Sequence, residues 1–147
     1  MTSCVQHGID EVPVLVDTNV LVDVAYRDPR WRDWSQAQLM RRLAEGLLIN
    51  PVIFAEFSYR YSDLGSVEAA LDSNEFVREH LPWEAAFAAG QAFRVYRGRG
   101  GTRERVLPDF LIGAHAAVRG YALLTRDPSG YRTYFPMVPL ISPDTHP

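Results

Sequence analysis

A chain of 147 residues, 47% hydrophobic and 22% charged, has the size and balance of one globular domain with its own core. No apolar run approaches the roughly 18 residues of a membrane span, and residues 1–11 lack the basic start and apolar stretch of a secretory signal, so a cytoplasmic protein is expected. The single cysteine, Cys4, excludes an internal disulfide and a cysteine-built zinc site, and a formal charge of −3 argues against a general nucleic-acid coat.

Val14-Leu15-Val16 runs directly into Asp17-Thr18-Asn19. A short apolar run bounded by polar residues reads as a buried strand. Thr18 or Asn19 is then placed to cap a helix carrying Val20, Leu21 and Val24. Ligands of open α/β sheets bind beyond the strands' carboxyl ends, which makes Asp17 a candidate site residue. Residues 26–29 break the chain, and residues 31–44 read as a helix with Leu39, Met40, Leu43 and Ala44 at helical spacing. Trp31 and Trp34 open it, as core packing or as a partner anchor. Residues 47–49 are a short strand. Asn50-Pro51 then supplies an N-cap and a first-turn proline for a helix through Phe57. Glu56 lies in that helix between Ala55 and Phe57, an apolar setting for an acid.

Residues 63–73 read as a helix capped around Ser66, and residues 76–81 as a short connecting strand. Residues 82–97 form a long helix rich in alanine, with Glu84, Gln91 and Arg94 on one polar stripe. The glycine-rich stretch 98–103 fits neither the P-loop nor the dinucleotide pattern and reads as a flexible basic loop. All fifteen basic residues of the chain are arginine, and Arg94, Arg97, Arg99, Arg103 and Arg105 crowd this region, where their planar forks suit phosphate. Leu107-Pro108-Asp109 starts the next helix, which Gly120 ends; an acid in a first turn has the helix dipole as an ordinary explanation. Residues 121–125 are a strand, 126–130 a turn holding Asp127, and 138–141 a final edge strand tolerant of its prolines. Alternating strands and helices define an α/β fold with a largely parallel sheet, as one domain over residues 1–147 with its core in about 13–142.

Four acids share a type of position. Asp17 and Asp127 follow strands, while Glu56 and Asp109 lie in the first turns of helices. In a parallel sheet these positions fall on one edge, so the four would converge. Two carboxylates 4 Å apart repel by about 4 kcal/mol at an effective dielectric near 20. Such a cluster raises a pKa or takes a cation, and an all-oxygen donor set suits Mg2+ or Mn2+. Divalent ions on carboxylates activate water for in-line displacement at phosphorus, which is nuclease chemistry and needs no protein nucleophile.

Asp17 in VLVDTNVL, Glu56 in NPVIFAEF, Asp109 in LPDFLIGAHA and Asp127 in LLTRDPSGYRTYFP resemble the PIN-domain family, with the nearest likeness to VapC-type toxins of type II toxin–antitoxin systems. The likeness spans residues 13–142. It implies a three-layer α/β/α sandwich and a metal-dependent endoribonuclease of single-stranded RNA, usually a homodimer, silenced by a cognate antitoxin lying in the active-site groove. It also implies that Asp17, Glu56, Asp109 and Asp127 are the metal-site acids, with Thr18 or Asn19 and Thr125 as supporting polar groups. The physical reading gives Asp17 and Asp109 direct metal contacts, and Glu56 and Asp127 direct or water-mediated ones. The arginines from Arg94 to Arg105 would hold an RNA backbone or an acidic antitoxin segment. His115 departs from the small residue the family pattern has there; six positions after Asp109, it lies about 240° around the helix and faces away from the acids, as a core or interface histidine.

Two other readings compete. A PIN-like module that binds RNA or protein without cutting would keep the same fold. Asp17-Thr18-Asn19-Val20-Leu21 also resembles the first motif of haloacid-dehalogenase-like phosphatases, but that family has a second acid where Asn19 stands and a lysine further on, and this chain has no lysine.

Overall fold

The structure is a computed structural model that describes residues 12–101 and 107–147. Five short strands, β1 (Val14–Val16), β2 (Leu47–Ile49), β3 (Phe76–Arg78), β4 (Ala122–Leu124) and β5 (Leu140–Ile141), form one sheet in the order β3-β2-β1-β4-β5. Every pairing is parallel. The three central strands β2, β1 and β4 read as unbroken apolar triplets because both faces are covered. Leu15, Val16, Leu47, Leu123 and Leu124 are all buried.

Among the described residues seven α-helices connect them: α1 (Thr18–Ala25), α2 (Arg32–Arg42, continued by a 3-10 turn at Leu43–Glu45), α3 (Pro51–Ser58), α4 (Leu64–Ala70), α5 (Trp83–Gly98), α6 (Leu107–Arg119) and α7 (Ser129–Tyr134). Strand order reverses between β1 and β4. Right-handed crossovers therefore put α1–α4 on one face and α5–α7 on the other. The packing agrees: α1 lies on α2 and α3, α5 on α6, and α6 on α7, while α3 also meets α6. Ala85 and Ala89 of α5 are fully buried, as the alanine-rich stretch predicts for a close helix pair.

Local chemistry sets the helix starts. Asn50 caps α3, its Oδ1 accepting from the Ile53 N–H at 2.9 Å, with Pro51 in the first turn. Asp63 caps α4 through the Ser66 N–H at 2.8 Å. For α1 the sequence expectation needs correction. Asp17 itself is the N-cap, not Thr18 or Asn19, and its carboxylate accepts the Thr18 N–H at 2.8 Å. The same acid thus ends a strand and starts a helix.

Three expected elements change. Residues 76–81 hold a genuine edge strand over Phe76–Arg78, paired with β2. The expected turn at 126–130 gives way to α7, because Tyr131 and Phe135 must reach the core. The final strand shrinks to Leu140–Ile141, since Pro136 and Pro139 cannot donate to a ladder. Phe135 and Tyr131 seat against Gly113 of α6. A Cβ there would lie 2.5 Å from the Phe135 ring, so only glycine admits this packing.

Candidate active site

Asp17 lies at the carboxyl end of β1 and Thr125 at that of β4, the two strands between which the order reverses. A crevice at such a reversal is the usual ligand position of an open α/β sheet. Here it is a pocket of about 530 Å³ lined by Asp17, Glu56, Asp109 and Asp127 together with Thr18, Asn19, Tyr59, Arg60, Arg126 and Tyr131. The fold brings all four predicted acids to one cavity.

Their environments differ. Asp17 is only 5% exposed. Its Oδ1 accepts the Thr18 N–H, and its Oδ2 accepts the hydroxyls of Thr125 and Tyr131, each at 2.9 Å, and more weakly Asn19 Nδ2 at 3.4 Å. Burial nonetheless dominates and pushes the Asp17 carboxyl up to about 7, with the charge of Asp109 adding to the rise and the bonds from Thr125 and Tyr131 opposing it. Glu56 is half-buried, and the Thr18 hydroxyl donates to its Oε1 at 2.7 Å. One threonine therefore ties two acids from α3 and β1 together. Asp109 is half-buried in the first turn of α6, and Asp127 is exposed, its backbone N–H bonded to Thr125 Oγ1 at 3.1 Å.

Thr18, Asn19 and Thr125 stand where supporting groups would. Asn19 Nδ2 also donates to Thr125 Oγ1 at 3.3 Å, and Asn19 Oδ1 accepts the Arg126 N–H at 3.3 Å. The arginines fare differently. Arg94, Arg97 and Arg99 are exposed on α5 and just beyond it, away from the pocket wall, and Arg94 donates to Gln91 at 2.7 Å. Arg103 and Arg105 lie outside the described residues. Among the described residues the cations on the wall are Arg60 and Arg126.

Sequence reasoning passed over Tyr131, whose hydroxyl reaches Asp17 and whose own pKa is raised well above 10, first by burial and then by the charges of Asp17 and Asp109. It belongs to α7, and reading Pro128-Ser129-Gly130 as a turn concealed the helical spacing that sends Tyr131 inward. Arg126 was visible beside Asp127, but nothing local marked it as facing the cavity. His115 is fully buried, as expected, and its ring nitrogens meet Asn50 and Glu79, neither of them one of the four acids.

Among the described residues no three Asp, Glu, His or Cys side chains form a ready-made ligand cluster. The donor set still fits a hard divalent cation. It is all oxygen, it carries surplus negative charge, and its cavity leaves room for the water that Mg2+ gives up reluctantly.

A family model described as PIN domain matches residues 14–136, a span holding all four acids. Among solved structures, VapBC2 from Rickettsia felis bound to a DNA fragment from their promoter is similar at a TM-score of 0.69 and 18% identity, over 88% of this chain and 97% of that one. FitAcB from Neisseria gonorrhoeae gives 0.65 and 19%, over 91% and 99%. A toxin–antitoxin complex from Klebsiella pneumoniae gives 0.61 and 20%, over 88% and 97%. No curated protein matches the sequence. The structural likeness fixes the fold, the family match covers most of the chain, and together they place it: the chain belongs to the PIN domain family.

Proposed function

We propose that the chain is a divalent-metal-dependent endoribonuclease, the toxin of a type II toxin–antitoxin pair, acting on RNA in the cytoplasm until a cognate antitoxin silences it. The observation that carries this reading is the gathering of four carboxylates on one open cavity, with Asp17 buried and its carboxyl pushed up to about 7. A buried acid beside further acids relieves its own destabilisation by taking a cation. The likeness to a toxin–antitoxin complex from Klebsiella pneumoniae supports the toxin assignment.

Asp17 and Asp109 would hold Mg2+ or Mn2+ directly, with Glu56 and Asp127 binding directly or through water. A divalent ion so held supplies Lewis acidity towards a phosphoryl oxygen and makes water a stronger acid. The protein's share is positioning. Thr18, Thr125, Tyr131 and Asn19 fix both oxygens of Asp17, so the carboxylate has no torsional freedom left to lose when a cation binds. Thr18 holds Glu56 in the same way. Such preorganisation is where a site of this kind draws its rate. None of it requires a side chain to form a covalent bond with substrate.

The test is cleavage of labelled RNA pools by antitoxin-free protein with Mn2+, with Mg2+ and with chelator, beside Asp17→Ala and Asp109→Asn. Metal-dependent cleavage absent from both variants is the expected result. Folded protein that binds metal yet cuts no RNA, single-stranded or structured, would instead favour a PIN module that binds without cutting.

A further inference from the structure

The nuclease reading leaves one buried carboxylate unused. Asp23, near the end of α1, is 1% exposed. Its Oδ2 accepts the Ser35 hydroxyl at 2.8 Å, and Arg126 Nε lies 2.9 and 2.8 Å from its two oxygens. Burying an acid this deeply is costly unless it is paired and hydrogen-bonded, so the site keeps Asp23 for the sake of its partner or in spite of it. The partner points to the former. Arg126 follows Thr125, its backbone N–H is pinned to Asn19, and its side chain is 30% exposed on the acid pocket's wall. Both side-chain hydrogen bonds that Arg126 makes among the described residues run from Nε, which leaves the Nη fork unspent. Asp28, whose carboxylate also feels the Arg126 charge, has its Oδ1 engaged by the N–H groups of Arg30 and Trp31.

We propose that Arg126 is a phosphate clamp, its Nη groups binding the non-bridging oxygens of an RNA phosphate at the acid pocket, and that Asp23 is the positioning residue that aims it. The inference rests on the nuclease reading and deepens it. Four carboxylates repel a polyanion, and a cation fixed on the same wall offsets that repulsion where the backbone must pass. A guanidinium anchored through Nε presents the remaining fork in a set plane, suited to bidentate phosphate contact. Arg60, the wall's other cation, is anchored differently: its guanidinium lies over the rings of Tyr26 and Tyr59, at 5.9 and 5.4 Å.

The experiment measures anisotropy of a fluorescein-labelled mixed-sequence RNA with the Asp109→Asn protein, which keeps Arg126 but cannot cut, across a salt series. Adding Arg126→Ala is expected to weaken binding about 10- to 100-fold and to reduce the log–log salt slope by about 0.7, one phosphate contact on a single strand. Arg126→Lys restores charge without the fork and should recover the slope but only part of the affinity. Because Arg126→Ala strands Asp23 without its partner, the double change Asp23→Asn with Arg126→Gln removes both charges and carries the test should the single variant not fold. Unchanged affinity and slope in folded Arg126 variants overturn the clamp alone. An Asp109→Asn protein that binds no RNA at all removes the nuclease reading and the clamp with it.

Discussion

At the carboxyl ends of β2 and β3, Asn50 and Glu79 meet His115 of α6; at those of β1 and β4, Asp17 and Thr125 meet Tyr131 of α7. In the first cluster the polar groups pair with one another. Asn50 spends its Oδ1 on the Ile53 N–H, so its amide donates to His115 Nδ1 at 2.9 Å, which leaves the histidine's Nε2–H to donate to Glu79 Oε1 at 2.8 Å. Tyr121 donates to Glu79 Oε2 at 2.6 Å, and Arg119 lies 3.7 Å from Oε1. Burial works against the Glu79 carboxylate, but these bonds and the Arg119 charge hold it below the usual range. The Tyr121 hydroxyl is pushed up to about 12, by burial first and then by the Glu79 bond. The second cluster gathers four acids, and it opens on a cavity. Two polar groupings on one sheet edge thus differ: the closed network holds α6 to the strands, and the other lines an open pocket.

The widest separation should come from activity. Asp17→Ala or Asp109→Asn is expected to cut RNA cleavage by about a hundredfold or more, whereas His115→Ala leaves the rate per folded molecule unchanged. Cleavage surviving in both acid variants would erase the distinction between the clusters.

Acid dependence comes next. The Asp17 carboxyl is raised in the folded chain from 3.8 to about 7, so the folded state keeps a proton that the unfolded state has already released. Its contribution is complete below about pH 4 and is lost as pH rises through 7, about 4 kcal/mol over the window at most. With chelator present, the melting temperature should fall from about pH 5 to 8, and Asp17→Asn should flatten that slope. Mg2+ should restore stability at the upper end, because a ligand bound only by the native state stabilises it. A wild-type slope identical to that of Asp17→Asn would mean that the buried acid is not strained.

His115→Ala tests the closed side. Emptying a fully buried site, orphaning the Asn50 amide and taking one donor from Glu79 should cost about 3 kcal/mol, read in a denaturant melt. A loss under about 1 kcal/mol would show the network to be dispensable.

The sequence carried much of this arrangement and lost the rest for definable reasons. Apolar triplets ending in Asp17 and Thr125, and the Asn50-Pro51 cap, are local signals, so the strands, most helices and the four acids could be placed. Pairing across the sheet is not local. Asp23 and Arg126 are 103 residues apart, the partners in other bonds that finish the site are 106 to 114 apart, and neither residue carries a local mark of its partner. Arg94, Arg97 and Arg99 crowd together in sequence, yet they do not line the acid pocket. Tyr131 was hidden because turn chemistry at Pro128-Ser129-Gly130 outweighed a helix only six residues long, which tertiary packing on Gly113 secures.

Tyr131→Phe offers the smallest and most pointed change. The phenol ring fills space under Gly113, and phenylalanine keeps that volume, so the core is expected to survive. What goes is the hydroxyl that donates to Asp17 Oδ2 at 2.9 Å. That hydroxyl holds its proton at any working pH, so it always favours the ionised form of Asp17. Its loss should move the Asp17 transition in the chelated protein to higher pH and cost about 1 kcal/mol at neutral pH, while the His115 network stays untouched. In cleavage, the activity profile should shift the same way, because a carboxyl that keeps its proton longer competes longer against the metal. A variant that loses stability equally at pH values on both sides of the transition would assign Tyr131 to packing, and Asp17 would then depend on Thr125, Asn19 and the Thr18 N–H to hold its charge.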